Sequence, residues 1–565
     1  MKHKFEIGAT IVCLLLSSLL VAQEKAYPRG YFRNPLNIPL ELVANFGELR
    51  NNHWHMGLDI RTQQRENLPV HAAAAGFVAR VKIEPGGFGR AIYIQHPNGF
   101  TTLYAHLNTF MPALEKWVKE QQYQQESWAI ELVLPPALFP LTKGQFFAFS
   151  GNTGGSAGPH VHFEIRDTET DNCLNPLLFG FPIKDGFPPT LTRLAVYDRN
   201  KSTYAQSPRV IALKKTGAAY APVSGATLSV TTDKVSLSLG ATDRFTGSGN
   251  ANGIYSARVF LDSQLQSEFI LDNINYDATR YMNAHTDYRH KYNGGPWLQH
   301  LSALPADKSS VYAATETQGI LQLSEGVVHT VRLEIRDAAQ NLSRVEFNLV
   351  YKPVELTQPA PVPVAQLIPN WINVFEEADF EVFTTEETAY DTISVVYKKT
   401  LSPFANPGLV AHSFINASIP AHDSITVRIK SELSNEAKRS AVIVGTAGTL
   451  KVVAKGRWNG AWLAAKFRQF GVFQVVIDTI PPGINAPPQN LARSSQIIFT
   501  PRDNLGAITY FRAELDGRWL RFTNNGGRSW VYRFDEHFLR GSHELSVTIE
   551  DVAGNRTAKT WQVMR

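Results

Sequence analysis

The sequence predicts a mainly β chain of several domains, and three observations carry that reading. At 565 residues the chain is several times the usual domain length of roughly 150 residues, which excludes a single core. Short runs of β-branched and aromatic residues are bounded by turn formers, and the 39 Gly and 32 Pro are spread along the chain in a way that suits many short strands. A composition that is 44% hydrophobic and only 19% charged excludes a disordered chain, a coiled coil and a collagen-like fibre.

The elements follow in chain order. Lys2 and Lys4 precede an apolar run over residues 7–21, with Ala22 and Gln23 after it. A basic start, a short apolar stretch and small or polar residues are the parts of a secretory signal peptide. Residues 1–23 are therefore expected to be removed on export, leaving no transmembrane segment in the mature chain; the run is shorter than the roughly 20 residues a spanning helix needs. Cys13 lies inside it, so Cys173 is the one cysteine left, which excludes an internal disulfide and a cysteine-pair metal site. A net charge of +5 without a dense Lys/Arg block excludes a nucleic-acid footprint.

Residues 24–185 form the first expected domain. Gly76–Ile83 and residues 91–95 read as strands. Leu114, Trp117 and Val118 fall at helical spacing among Glu, Lys and Gln, which predicts a helical insertion over about residues 109–136 that Pro135-Pro136 ends. Asp185-Gly-Phe-Pro-Pro189 marks a boundary. Alternating segments at 193–197, 227–231, 235–239 and 257–261 then predict a β-sandwich domain over residues 186–352. The proline-rich residues 353–369 read as a semi-rigid linker, residues 370–480 as a further β-rich domain, and residues 481–565, entered through Pro481-Pro482 and Pro487-Pro488, as a C-terminal immunoglobulin-like β domain. Ile335-Arg-Asp-Ala-Ala-Gln-Asn341 echoes Ile549-Glu-Asp-Val-Ala-Gly-Asn555, which reads either as simple turn chemistry or as a trace of repeated domains of one type, without a strict period.

Four short elements of the first domain carry chemistry: His55-Met-Gly-Leu-Asp59, Tyr104-Ala-His106, Gly151-Asn-Thr-Gly-Gly-Ser-Ala-Gly158 and His160-Val-His162-Phe-Glu164. On a strand, His160 and His162 share a face and stand about 7 Å apart, near enough for one metal and its water to meet both. His55 and Asp59 would stand roughly 13 Å apart on a regular strand, but Gly57 between them permits a bend that brings imidazole nitrogen and carboxylate oxygen together. His55, Asp59 and one histidine of the pair satisfy the three-ligand, one-open-position rule of a catalytic zinc site. Their single negative charge leaves a divalent complex at +1, which favours acidifying a bound water. The other histidine of the pair and His106 remain beside the centre, suited to moving a proton or donating to an oxyanion. The glycine run lets backbone wrap closely around a substrate and lacks the Lys-Ser/Thr ending of a phosphate loop. His53 reads as a groove or surface residue and His96 as sheet packing. Glu164 reads either as a hydrogen-bond partner of a ligand histidine or as an ordinary strand carboxylate, and Tyr104 either as a substrate donor or as core.

In this order, His55-x-Gly-x-Asp59, Tyr104-x-His106 and Gly158-Pro-His160-x-His162-Phe-Glu164 resemble the lysostaphin-type (LytM-type) zinc endopeptidases of bacterial cell walls. Pro69-Val-His-Ala72 with Gly76-x-Val78, Gly86-Gly-x-Gly89 and Ile94-Gln-His96-x-x-Gly99 match as well, so the resemblance covers roughly residues 45–166. It implies an antiparallel β-sheet metallopeptidase domain, Zn2+ on His55, Asp59 and His162, and catalytic roles for His106 and His160. His160 is expected as general base, and His106 to orient water or stabilise the oxyanion. The resemblance further implies a peptidoglycan peptide as substrate and a periplasmic or extracellular, wall-associated protein. Some relatives lose ligands and serve only as activators or wall-binding scaffolds; all five positions are retained here, which favours an enzyme. The C-terminal β domains are left to position the peptidase or to bind the wall or a protein partner. Trp458, Trp462, Trp519 and Trp530 either stack on sugars or, the better default, fill cores.

Overall fold

The computed structural model describes residues 27–354, 365–401, 410–506 and 508–565. The expected signal peptide, with Cys13, and the middle of the expected linker lie outside these residues. Among the described residues no helix is long and apolar enough to cross a membrane.

The N-terminal domain is built on an antiparallel sheet. Its main strands are β1 (Leu42–Ala44), β2 (Leu58–Arg61), β3 (Gly76–Ile83), β4 (Arg90–Gln95), β5 (Phe100–Ala105), β6 (Ile130–Val133) and β7 (His160–Asp167), in the spatial order β1-β2-β7-β5-β4-β3-β6. Strand β7, the last in sequence, sits between β2 and β5 because its alternation gives it two useful faces. Val161, Phe163 and Ile165 are fully buried and join Leu58, Ile60, Ile92, Ile94 and Tyr104 in one core. By the period of two, His160, His162, Glu164 and Arg166 take the opposite face. A smaller sheet of Pro69–His71, Leu107–Phe110 and Phe146–Ser150 closes that core with Val70, Phe110 and Phe147.

The helical insertion is shorter than the sequence predicts. Helix α1 (Pro112–Gln124) starts on Pro112, a favourable first-turn residue, and buries Leu114 and Val118. Residues 130–133, inside the predicted insertion, form β6 instead. Ile130 and Leu132 are buried there while Glu131 and Val133 face solvent, and the segment pairs with the edge of β3, so a period of two overrides the helical context. The outer face of α1 is covered by the far end of the chain. Tyr123 stacks on His537 with ring centroids 3.7 Å apart, Lys119 Nζ lies 2.7 Å from Asp535 Oδ2, and Arg512 pairs with Glu126 at 2.7 Å.

The second domain is joined to the first by shared sheet. Cys173–Leu174 pairs with Asn273–Ile274, so the peptidase sheet continues into the next unit. Residues 190–351 form an eleven-stranded sheet that closes with the hairpin of β8 (Val328–Arg336) and β9 (Leu342–Tyr351). Two five-stranded sheets follow between Val374 and Ile477, and their core is continuous with that of the second domain. The last unit encloses Phe499, Trp530, Leu545 and Ile549 between a three- and a four-stranded sheet and ends in the hairpin of β10 (Ser542–Asp551) and β11 (Arg556–Met564). Trp530 is buried in that core, Trp458 donates Nε1–H to the Lys438 carbonyl, and Trp519 packs edge-on against Tyr123 of the first domain. These three rings are engaged in packing.

Candidate active site

Strand register brings the predicted residues together. His162 lies opposite Asp59 on β2 and opposite Ala105 on β5, so neighbouring strands, about 4.8 Å apart, deliver Asp59 from one side and His106, the next residue after β5, from the other. The chain bends at Gly57, as expected. The close approach of β7 also requires glycine there, since a Cβ would lie 2.4 Å from the Phe163 carbonyl oxygen. The bend returns His55 to the same point. His55 Nε2, Asp59 Oδ1 and His162 Nδ1 form a triangle with edges of 2.9, 3.0 and 3.0 Å.

This donor set fits a metal ion. His55 gives its Nδ1–H to the Asn45 carbonyl at 2.7 Å, which leaves Nε2 facing Asp59 Oδ1. His162 gives its Nε2–H to Glu164 Oε1 at 2.8 Å. Each ligand ring is thus aimed by a partner on its far nitrogen, the usual arrangement behind a metal. Nitrogen and oxygen ligands at about 2.0–2.2 Å from a tetrahedral zinc stand about 3.3–3.6 Å apart, a few tenths of an ångström wider than the observed edges. Electrostatics agree. Burial opposes the ionised form of Asp59, but His55, His160 and His162 outweigh it and hold the carboxyl well below the usual range. Burial pulls His162 down, yet hydrogen bonds to Asp59 and Glu164 win and push it up to about 9. The centre favours positive charge, a proton on His162 or a cation in its place.

The two remaining histidines flank this triangle. His160 donates Nδ1–H to the Gly158 carbonyl at 2.8 Å, and its Nε2 lies 3.3 Å from Asp59 Oδ1. His106 donates Nδ1–H to the Thr153 carbonyl at 2.8 Å, and its ring centroid is 4.7 Å from that of His160. Burial, then the neighbouring His162 and His160, push His106 down to about 3, so it is neutral with Nε2 as an acceptor. Its backbone is left-handed, φ 59°, a strained state for a non-glycine residue that its N–H bond to the Phe88 carbonyl helps to hold.

All five predicted residues therefore meet at one point, and the rest separate from it. His96 is buried, bonded to the Ala75 carbonyl and Thr102. Tyr104 is core, its hydroxyl taken by Ala73 N–H and Thr102. His53 is exposed at the rim of the cleft. Glu164 is fully buried between His162 and Arg166 and accepts hydrogen bonds from both. The glycine run owes its composition largely to loop packing: a Cβ on Gly154 would lie 2.3 Å from Gly89 N. Its far end, with Ser156 and Gly158, lines the cleft.

Sequence reasoning missed two features. Asn45 orients His55 through a main-chain carbonyl, which any residue type supplies. The cleft, about 720 Å³, is walled in part by Tyr276 and Thr279 of the second domain, which the pairing of Asn273–Ile274 with the peptidase sheet carries there. Thr279 Oγ1 accepts from Trp54 N–H at 3.1 Å.

The profile of peptidase family M23 matches residues 53–123, and that of the Zu5-like domain matches residues 366–478. An uncharacterized metalloprotease of Haemophilus influenzae is 28% identical over 166 residues, covering 28% of this chain and 29% of that protein. DD-carboxypeptidase/endopeptidase Mpg of Neisseria meningitidis serogroup B is 34% identical over 163 residues, covering 29% of this chain and 28% of that protein. The chain thus spans under a third of the length of these relatives. The catalytic domain of lysostaphin from Staphylococcus simulans aligns over 27% of this chain and 91% of its own, at 21% identity and a TM-score of 0.16. The N-terminal sheet with its His-Asp-His cluster is a metallopeptidase-type domain. The match to peptidase family M23 falls within this domain, over residues 53–123.

Proposed function

We propose that this protein is an exported zinc metalloendopeptidase that hydrolyses peptide bonds in peptidoglycan stems or cross-links, with its later β domains, the last of them immunoglobulin-like, positioning the peptidase or binding a wall or protein partner. The observation that carries the reading is the triangle of His55, Asp59 and His162 with His160 and His106 beside it in an open cleft. The leader-like residues 1–23 support export, to the periplasm or beyond.

Bound Zn2+ supplies Lewis acidity at the scissile carbonyl. The chain supplies the rest. His160, with Nδ1–H committed to Gly158, turns Nε2 toward the centre beside Asp59, where it takes a proton from the attacking water and returns it to the leaving amine. His106, neutral and with its own Nδ1–H committed, accepts a hydrogen bond from that water and fixes its orientation, which is the water-orienting half of the role expected for it. The wall formed by Tyr276 and Thr279 narrows the cleft to an extended peptide.

Incubation of the purified chain with isolated sacculi tests this. Mass spectrometry is expected to show peptide-bond cleavage products that disappear with a chelator and return with Zn2+. Zinc-loaded, folded protein that releases nothing from sacculi of several peptide chemistries would return the scaffold reading in its place.

A further inference from the structure

Two groups of three aspartates lie outside the peptidase centre. Asp185, Asp243 and Asp337 bring carboxylate oxygens within 4.8 Å of one another, and Asp478, Asp503 and Asp551 do the same. The two groups are built alike. The first aspartate of each stands at a domain joint, three residues before a proline pair, in Asp185-Gly-Phe-Pro-Pro189 and Asp478-Thr-Ile-Pro-Pro482. The second comes from a loop, and the third from the turn of the closing hairpin, β8–β9 or β10–β11. In each hairpin an asparagine four residues on completes the turn. Asn341 donates N–H to Asp337 Oδ1 and Nδ2–H to Asp337 Oδ2, both at 2.8 Å; Asn555 does the same to Asp551 at 2.9 Å. The same amides reach the carbonyl of the joint aspartate, Asp185 at 3.4 Å and Asp478 at 2.8 Å. The echo of residues 335–341 in 549–555 is therefore one part of a three-segment arrangement repeated in two domains, more than turn chemistry alone.

A second observation points to a ligand. Asp243 is 2% exposed and its Oδ1 has no hydrogen-bond partner; Asp478 is 2% exposed and its Oδ2 has none. A dry, unpaired carboxylate oxygen is costly. In the first group burial, then Asp337, pushes Asp185 up to about 6, and burial, then Asp185 and Asp337, pushes Asp243 up to about 7. Buried carboxylates facing one another are stabilised by a cation between them. Oxygen donors alone, without nitrogen or sulfur, suit a hard ion. Calcium–oxygen bonds of about 2.3–2.6 Å let oxygens up to about 5 Å apart share one ion, and Ca2+ tolerates irregular shells that Mg2+ does not.

We propose that each group binds one Ca2+, so that the chain carries two structural calcium sites that lock the joints after the first and third domains. The first joint also grips the peptidase. Asp243 and Asn252 exchange two main-chain hydrogen bonds, and the following Gly253 bonds reciprocally to the Asn45 side chain at 2.9 Å, the residue whose carbonyl aims His55. The proposal concerns residues outside the peptidase centre and does not depend on the activity assigned there.

Equilibrium dialysis of the zinc-loaded full chain, freed of calcium, against radioactive Ca2+ decides it. Two ions per chain are expected at millimolar Ca2+, one in Asp243→Asn, one in Asp503→Asn, none in the double variant and two in His162→Ala. Asparagine keeps the shape and an acceptor oxygen while removing the charge. The melting temperature of the wild-type chain is expected to rise with Ca2+, and that of the double variant to stay unchanged. Fewer than two ions on the wild-type chain, a count that needs no variant, overturns the proposal, as do two ions retained in the double variant.

Discussion

His160 and His162 are two residues apart on one strand face, yet they differ in what holds them. His162 is locked between Asp59 and Glu164, whereas His160 is held through Nδ1 by Gly158 and Ser156 and meets Asp59 Oδ1 through Nε2 at the longer distance of 3.3 Å. Replacing His162 with Ala is expected to abolish zinc binding and hydrolysis together. Replacing His160 with Ala is expected to leave zinc stoichiometry intact and slow turnover by about 10²–10⁴, the usual worth of a general base; metal analysis beside peptide-release kinetics separates them. Asn45 makes a finer test. Its side chain clamps Gly253 while its carbonyl orients His55, so Asn45→Ala is expected to weaken zinc affinity about 10–100-fold, the range found when a ligand's partner is disturbed, with no change in zinc count at saturation. At this scale the sequence was most legible. The five site residues declare themselves by chemical type and spacing, while Asn45 does not, because a main-chain carbonyl leaves no mark in the sequence.

At the scale of elements, the site is a consequence of register. Strand β7 must sit between β2 and β5 with His162 opposite Asp59, and Gly57 sets how near β2 can come. Gly57→Ala would place a methyl 2.4 Å from the Phe163 carbonyl. The strands must part, which is expected to cost about 1–3 kcal/mol, as overpacking does, and to open the triangle. A lowered melting temperature with substoichiometric zinc is the expected pair of results; normal zinc binding with unaltered stability sinks the register argument. The strands themselves were readable from their alternation and turn formers. The end of the insertion was not, because residues 130–133 follow a helix with no proline between, and only pairing with β3 decides that Ile130 and Leu132 face one way. The order of the strands was equally hidden, since β7 meets partners about 60 and 100 residues upstream.

For the whole molecule, the domains are not independent beads. Trp54, between His53 and His55, is fully buried, and its ring lies 5.6 Å from that of His285 in the second domain. Burial pushes His285 down to about 3 and His300, nearby in the same core, down to about 4. Unfolded, both titrate near 6.5. Above that pH both are neutral folded or unfolded, and their full contribution to stability is present. As pH falls below 6.5 the unfolded chain takes up protons that the folded chain refuses, so stability is lost down to about pH 4 for His300 and about pH 3 for His285. Each is expected to remove roughly 1–1.5 kcal/mol per pH unit within its window. His285→Gln keeps a neutral polar group beside Tyr312 and Gln299, the partners His285 now meets, but cannot charge. It is expected to lower stability at pH 7 and to flatten the decline between pH 6 and 4 by about the share of one group, read from urea midpoints followed by tryptophan emission. Because Trp54 neighbours His55, the proposed zinc ligand, zinc loss on acidification is expected to track that transition in the wild-type chain; a slope unchanged by the substitution would show that His285 is not held neutral by the packing of the two domains.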